Sequence, residues 1–207
     1  MRRKRDDYGL FVGPEFGVED GELSLAMGLV TGVQLEAVLR RLSRVKGFHD
    51  FDQFPIPFRA VATDLVTGKA VVFREGELPD VMRASMSVPG AIAPAESEGR
   101  LLVDGMLTAN LPVQEARDMG ADIVIAVNVG TPLLKRAQLK GILGVTSQML
   151  SILTEQNVQA SIASLKPTDI LITPDLGDFS TGDFDHLPRT RSFFDLRPMA
   201  QRANRAS

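Results

Sequence analysis

The run Ile123-Val124-Ile125-Ala126-Val127 sets the tightest limit on how this chain can fold. An alternating strand can leave one face in water, but an unbroken apolar, β-branched run has no polar face to offer, so it predicts a central strand covered on both sides. Such a strand needs helices above and below it, and the flanking sequence supplies them. Pro112 opens a helix through Ala116 to Met119, with Gly120 where a C-terminal cap belongs. Beyond the strand, Leu139, Ile142, Leu143, Thr146, Met149, Leu150 and Leu153 keep helical spacing. They predict a helix continuing to Leu165 with this stripe in the core. Asp169-Ile170-Leu171-Ile172 follows as a second buried strand.

The same alternation extends upstream. Gly9, Gly13, Gly17, Gly21 and Gly28 make residues 8–29 an extended loop or hairpin region. Thr31 and Gln34 form a capping box ahead of Leu35, Val38, Leu39 and Leu42, predicting an amphipathic helix to Val45. Phe58 to Thr63 reads as a strand, Thr67-Gly68 as a turn and Ala70 to Phe73 as the hairpin partner. Pro79 suits the first turn of a short helix through Met82 and Ala84, ended by Pro89-Gly90. Leu101-Leu102-Val103 is a short strand that stops at Asp104-Gly105. Strands alternating with helices imply an α/β layered sheet, mostly parallel, with a hairpin.

Composition narrows the chemistry. With 44% hydrophobic and 24% charged residues the bulk of the chain is not disordered, and a net charge of −3 supplies no positive field for nucleic acid. The absence of Cys excludes thiolate metal sites and Cys nucleophiles. Only His49 and His186 are present, both in loop-like stretches, which disfavours a His-based triad or zinc site; no cofactor and no metal are expected. No apolar run approaches the roughly 18 to 20 residues of a membrane-spanning helix. Met1-Arg2-Arg3-Lys4-Arg5 has the charge of a signal-peptide start, but Asp6 and Asp7 stand where its apolar region belongs.

Among residues that can carry chemistry, Asp104 is the best placed. It ends an apolar strand, on the rim where α/β sheets hold their sites, although Asp-Gly is equally a turn dipeptide. Asn110 reads as the cap of the helix begun at Pro112, with orientation of a carboxylate as the alternative. Ser85 and Ser87 lack a nucleophile elbow's surroundings and read as capping or packing residues. Asp64 reads as a turn former.

Five ordered blocks, Phe58-Arg59-Ala60-Val61-Ala62-Thr63-Asp64-Leu65, Arg83-Ala84-Ser85-Met86-Ser87-Val88-Pro89-Gly90, Leu102-Val103-Asp104-Gly105, Asn110-Leu111-Pro112-Val113 and residues 120–127, together resemble the C-terminal two-thirds of a bacterial patatin-like phospholipase domain. The resemblance implies a three-layer αβα sheet, N-terminally incomplete. It also implies a partial hydrolase domain over 1–185, while the degraded pattern and Arg189, Arg191, Arg197, Arg202 and Arg205 read as a basic, poorly ordered tail over 186–207. In that family a Ser on a Gly-x-Ser-x-Gly elbow is activated directly by an Asp in an Asp-Gly-Gly or Asp-Gly-Ala motif, without His. By resemblance Asp104 is that base, with Gly105, Met106 and Asn110 as supporting residues; Met106 stands where the family has Gly or Ala. No Ser of this chain sits in Gly-x-Ser-x-Gly. The expectation is therefore a lipid acyl hydrolase segment that carries the Asp but not the Ser and is inactive alone. The alternative is a non-catalytic remnant that binds lipid or a partner. The partners implied are a lipid or phospholipid ester, a peripheral membrane contact and association through an exposed core face. Localisation stays open between bacterial cytoplasm and, within a longer outer-membrane protein, export.

Overall fold

Asp64 begins a turn that its own side chain and carbonyl close. Its Oδ1 accepts the Val66 N–H at 2.9 Å, its carbonyl accepts the Gly68 N–H at 2.8 Å, and Gly68 takes the left-handed backbone (φ 68°) that closes the loop. The turn joins β4 (Ala60–Asp64) to β5 (Ala70–Phe73) as the hairpin that the sequence predicts. The computed structural model describes residues 16–19, 22–25, 32–130, 133–134, 136, 139 and 141–176. Thr31 of the expected capping box, His186 and the basic tail at 186–207 lie outside them.

Before that hairpin come β1 (Phe16–Glu19) and β2 (Glu22–Leu25), an antiparallel pair, then α1 (Gly32–Ser43) and β3 (Phe48–Asp50). After it come β6 (Glu75–Glu77), which pairs with β3, and α2 (Leu78–Ser85), opened by Pro79 as expected. Next are β7 (Ala95–Ser97), β8 (Arg100–Asp104), α3 (Met106–Ala109), α4 (Val113–Asp118), β9 (Ile125–Val127), α5 (Gly141–Ala163) and β10 (Ile170–Ile172). Arg40 docks α1 onto the start of α2 through Glu77 at 2.7 Å and Asp80 at 2.8 Å, an exposed network that sets register more than it stabilises.

The mixed α/β class is borne out, but the sense of strand pairing differs from the mostly parallel sheet expected. Among the described residues, the four-stranded sheet β5-β4-β8-β7 is antiparallel throughout, and only β9 and β10 pair in parallel. Connection length accounts for β4–β5 and β7–β8, joined by short turns, and for the parallel β9–β10, which needs a long crossover, whereas β4 and β8 pair antiparallel across the intervening β5, β6, α2 and β7. The β7–β8 turn is a two-residue loop with positive φ at both Glu98 (51°) and Gly99 (73°), and the long segment carrying α5 crosses between β9 and β10.

Two further expectations are corrected. Val124 and Ala126 are buried against Leu111, Val113 and Val158, but Ile125 is 62% and Val127 43% exposed. The run at 123–127 is therefore covered on one face only. In the register, Ile125 lies beside Ile170 and Val127 beside Ile172, so the uncovered face is continuous across both strands. In the stripe from Leu139 to Leu153, Thr146, Met149 and Leu153 are exposed instead of core, while the buried side of α5 passes through Thr154 and Val158. That side faces the short helices α3 and α4, which select it. Among the described residues no helix is long and apolar enough to cross a membrane.

Asp169 locks the β9–β10 unit. Its enclosed carboxylate accepts the Val124 N–H at 2.9 Å and the Lys166 N–H at 2.7 Å and pairs with Arg117 of α4, whose guanidinium also reaches the carbonyls of Ala121 and Asp122. The Val124 N–H first, then Arg117 and the Lys166 N–H, hold its carboxyl down at about 2. A carboxyl whose pKa is lower folded than unfolded stabilises above its unfolded value of about 3.9, and that stabilisation is lost as pH falls through the folded value. The urea midpoint is thus expected to fall between about pH 4 and about pH 2, with Asp169→Asn less stable at neutral pH and flatter across this window. Midpoints of the wild-type and Asp169→Asn proteins running parallel from neutral to acid pH would contradict the assignment.

Candidate active site

Asp104 is the last residue of β8, and its backbone is held on both sides. Its N–H donates to the Ser87 carbonyl at 2.9 Å, and its carbonyl accepts the hydroxyl of buried Thr63 at 3.0 Å. The Thr63 hydroxyl in turn meets that of Thr108 on α3 at 2.9 Å. Directly after Asp104 the chain passes so near β4 that a Cβ on Gly105 would lie 2.4 Å from the Val61 carbonyl oxygen. The φ of Gly105 is an ordinary −64°, so closeness and not backbone freedom demands glycine here. Met106 then opens α3, and its N–H donates to Asp104 Oδ1 at 2.8 Å. The residue at the third motif position enters through its backbone, and its half-buried side chain leaves the turn intact.

No described residue donates a hydrogen bond to Asp104 Oδ2. Burial pushes the carboxyl above the usual carboxylate range, opposed by the Met106 N–H. The group is thus a half-buried carboxylate with one oxygen anchored, the other without a donor, and raised basicity.

The other sequence candidates sort around it. Asn110 is exposed; its side chain has no described bond to Asp104, and the N-cap of α4 is Pro112 with no side-chain cap. Both sequence readings of Asn110 are therefore corrected: its backbone N–H, not its side chain, is used, donating to Asn157 Oδ1 at 3.0 Å. Ser85 and Ser87 are structural, as read. Ser85 Oγ donates to the Val61 carbonyl at 2.8 Å, and Ser87 Oγ donates to the Arg83 carbonyl at 2.7 Å and accepts from the Arg83 guanidinium. His49 sits on β3 with its ring nitrogen 3.0 Å from the Lys46 carbonyl oxygen. A cavity of about 540 Å³ opens at the β7–β8 turn, lined by residues 96–101, and does not include Asp104.

Three contributors are not visible in the sequence pattern. Thr63, Arg83 and Asn157 hold the surroundings of Asp104 through contacts far apart in the chain. Arg83, buried, also donates to the Ala93 carbonyl at 2.5 Å, and burial lowers its pKa. A polar residue inside the helical stripe around Val81 and Ala84 is the one local hint for Arg83.

Compared with known proteins, residues 16–117 match the family model described as patatin-like phospholipase. These residues belong to the patatin-like phospholipase family. The match contains Asp104, Gly105, Met106 and Asn110 and ends inside α4, so β9, α5 and β10 lie beyond it. An uncharacterised NTE family protein of Mycobacterium tuberculosis is 42% identical over 97 residues, covering 47% of this chain and 27% of that protein. The patatin-like phospholipase domain-containing proteins 7 and 6 of Mus musculus are 41% identical over 78 residues and 36% over 94. Those alignments cover 37% and 44% of this chain and 6% and 7% of the two mouse proteins. The aligned part is thus less than a third of the length of each relative.

The contact between Gly105 and Val61 makes a direct prediction for the patatin-like segment. Gly105→Ala is expected to cost about 3 kcal/mol in urea unfolding, because a backbone carbonyl cannot retreat as a flexible side chain can. A loss below about 1 kcal/mol would mean that β8 separates from β4 without penalty.

Proposed function

We propose that this chain supplies the general base of a lipid acyl hydrolase, with Asp104 acting directly on a serine hydroxyl. Family membership supports lipid hydrolysis at the level of the family. The observation that carries the finer reading is the Asp104 carboxylate itself, raised by burial, fixed through Oδ1 and without a described donor on Oδ2. In the proposed step the serine oxygen attacks the ester carbonyl carbon while its proton passes to Asp104. As the tetrahedral species collapses, the alcohol departs with that proton and leaves an acyl-serine for water to cleave. A buried carboxylate is a better proton acceptor than one in water, which lets the step run without histidine.

The serine has to come from a Gly-x-Ser-x-Gly segment, which these 207 residues do not contain. Among the described residues no serine hydroxyl bonds to the Asp104 carboxylate. A serine-directed fluorophosphonate is therefore expected to leave the 207-residue protein unlabelled. It should label a version extended to include such a segment, about 10²–10⁴-fold more slowly after Asp104→Asn. Labelling of the 207-residue protein, or labelling of the extended version that ignores Asp104→Asn, would overturn the reading.

A second reading is favoured by the uncovered apolar face at Ile125, Val127 and Ile170, all substantially exposed. Here the chain is a non-catalytic module that binds a lipid surface through this face. Phosphatidylcholine vesicles should then co-sediment the wild-type and Asp104→Ala proteins equally and lose Ile125→Glu; binding that survives Ile125→Glu excludes the face.

A further inference from the structure

Helix α3 contains only residues 106–109, too few for a helix to hold itself together. Its first N–H is the one that anchors Asp104. Something outside it must fix its two ends, and one side chain does so. Asn157 Nδ2 donates to the Met106 carbonyl at 2.8 Å, and Asn157 Oδ1 accepts the Asn110 N–H at 3.0 Å. The two contacts use opposite poles of one carboxamide, so they also fix which atom is nitrogen and which is oxygen. Asn157 stands on α5, a 23-residue helix anchored next door by Val158, which is buried in the cluster with Leu111, Val113, Val124 and Ala126.

We propose that Asn157 is a positioning residue for Asp104: by gripping both ends of α3 it fixes Met106, whose N–H holds the Asp104 carboxylate. The role of the carboxylate rests on the function proposed above, whereas the relay from Asn157 to Met106 to Asp104 does not. It assigns a task to α5, which lies wholly outside the segment that matches the family. The competing account is that Asn157 only docks α3 onto α5, contributing stability and nothing to the carboxylate.

The two accounts separate in a titration that needs neither substrate nor serine. The Asp104 side-chain carboxyl resonance, assigned by its loss in Asp104→Asn, is followed against pH in the 207-residue protein. The Met106 N–H favours the charged carboxylate, so releasing it in Asn157→Ala is expected to raise the Asp104 midpoint by about 0.5 to 1. Val158→Ala loosens α5 by deleting core methyl groups without touching the relay, and should lower stability while leaving that midpoint in place. Should Asn157→Ala not fold, Asn157→Leu carries the test, filling the same space with no charge and making neither contact. A midpoint unmoved by the Asn157 variants, or moved equally by Val158→Ala, overturns the proposal. Because no labelling is read, failure here leaves the hydrolase reading standing, and failure of labelling leaves the relay standing.

Discussion

The approach of Gly105 to the Val61 carbonyl is the constraint on which the site depends. In the β4–β8 ladder Ala62 faces Asp104, so the chain must leave β8 just where it lies against β4, and only a residue without Cβ can turn there. The Val61 carbonyl also receives the Ser85 hydroxyl, which brings α2 to the same point. Ser87, just beyond α2, then holds the Asp104 N–H. Segments from 60–64, 78–87 and 100–105 thus converge within a few hydrogen bonds, and the carboxylate direction follows from where their backbones meet.

That convergence explains what could be read from the sequence and what could not. The β4–β5 hairpin was legible because its causes are local: a β-branched run, an Asx turn at Asp64 and a glycine at the left-handed position. Asp104 and Gly105 were legible as a strand end and turn for the same reason. Asn110 was misread because α4 takes Pro112 itself as its N-cap, which leaves Asn110 before the cap. Its backbone N–H is held by Asn157, forty-seven residues away in the chain. Nothing in the spacing of α5 marks Asn157, since an Asn in a long helix looks like any solvated position until α3 is placed against it.

The misreading of the Ile123–Val127 run has a different origin. Continuous apolar strands report what a sheet is built to bury, and burial is a property of the neighbours that happen to be present. Val124 and Ala126 have theirs in Leu111, Val113 and Val158. Ile125 and Ile170, paired in register on the opposite face, do not among the described residues. Composition and covering layer therefore disagree at this sheet, whereas at β4 they agree, with four of its five residues buried.

The two sheets also differ in how they are held. The direct contacts of Asp104 are with backbone groups and the Thr63 hydroxyl, and the Arg83 guanidinium stands one step away, on the Ser87 hydroxyl. At β9–β10 the charge is spent on structure instead, with Asp169 enclosed by Arg117 and two backbone N–H groups and its carboxyl pulled down to about 2. The same side chain is thus driven in opposite directions, downward by its donors at Asp169 and upward by burial at Asp104. Three donors make Asp169 a poor base and a good lock, while one donor and partial burial leave Asp104 able to take a proton. The balance of burial against the N–H groups aimed at each carboxylate separates the structural aspartate from the one suited to chemistry.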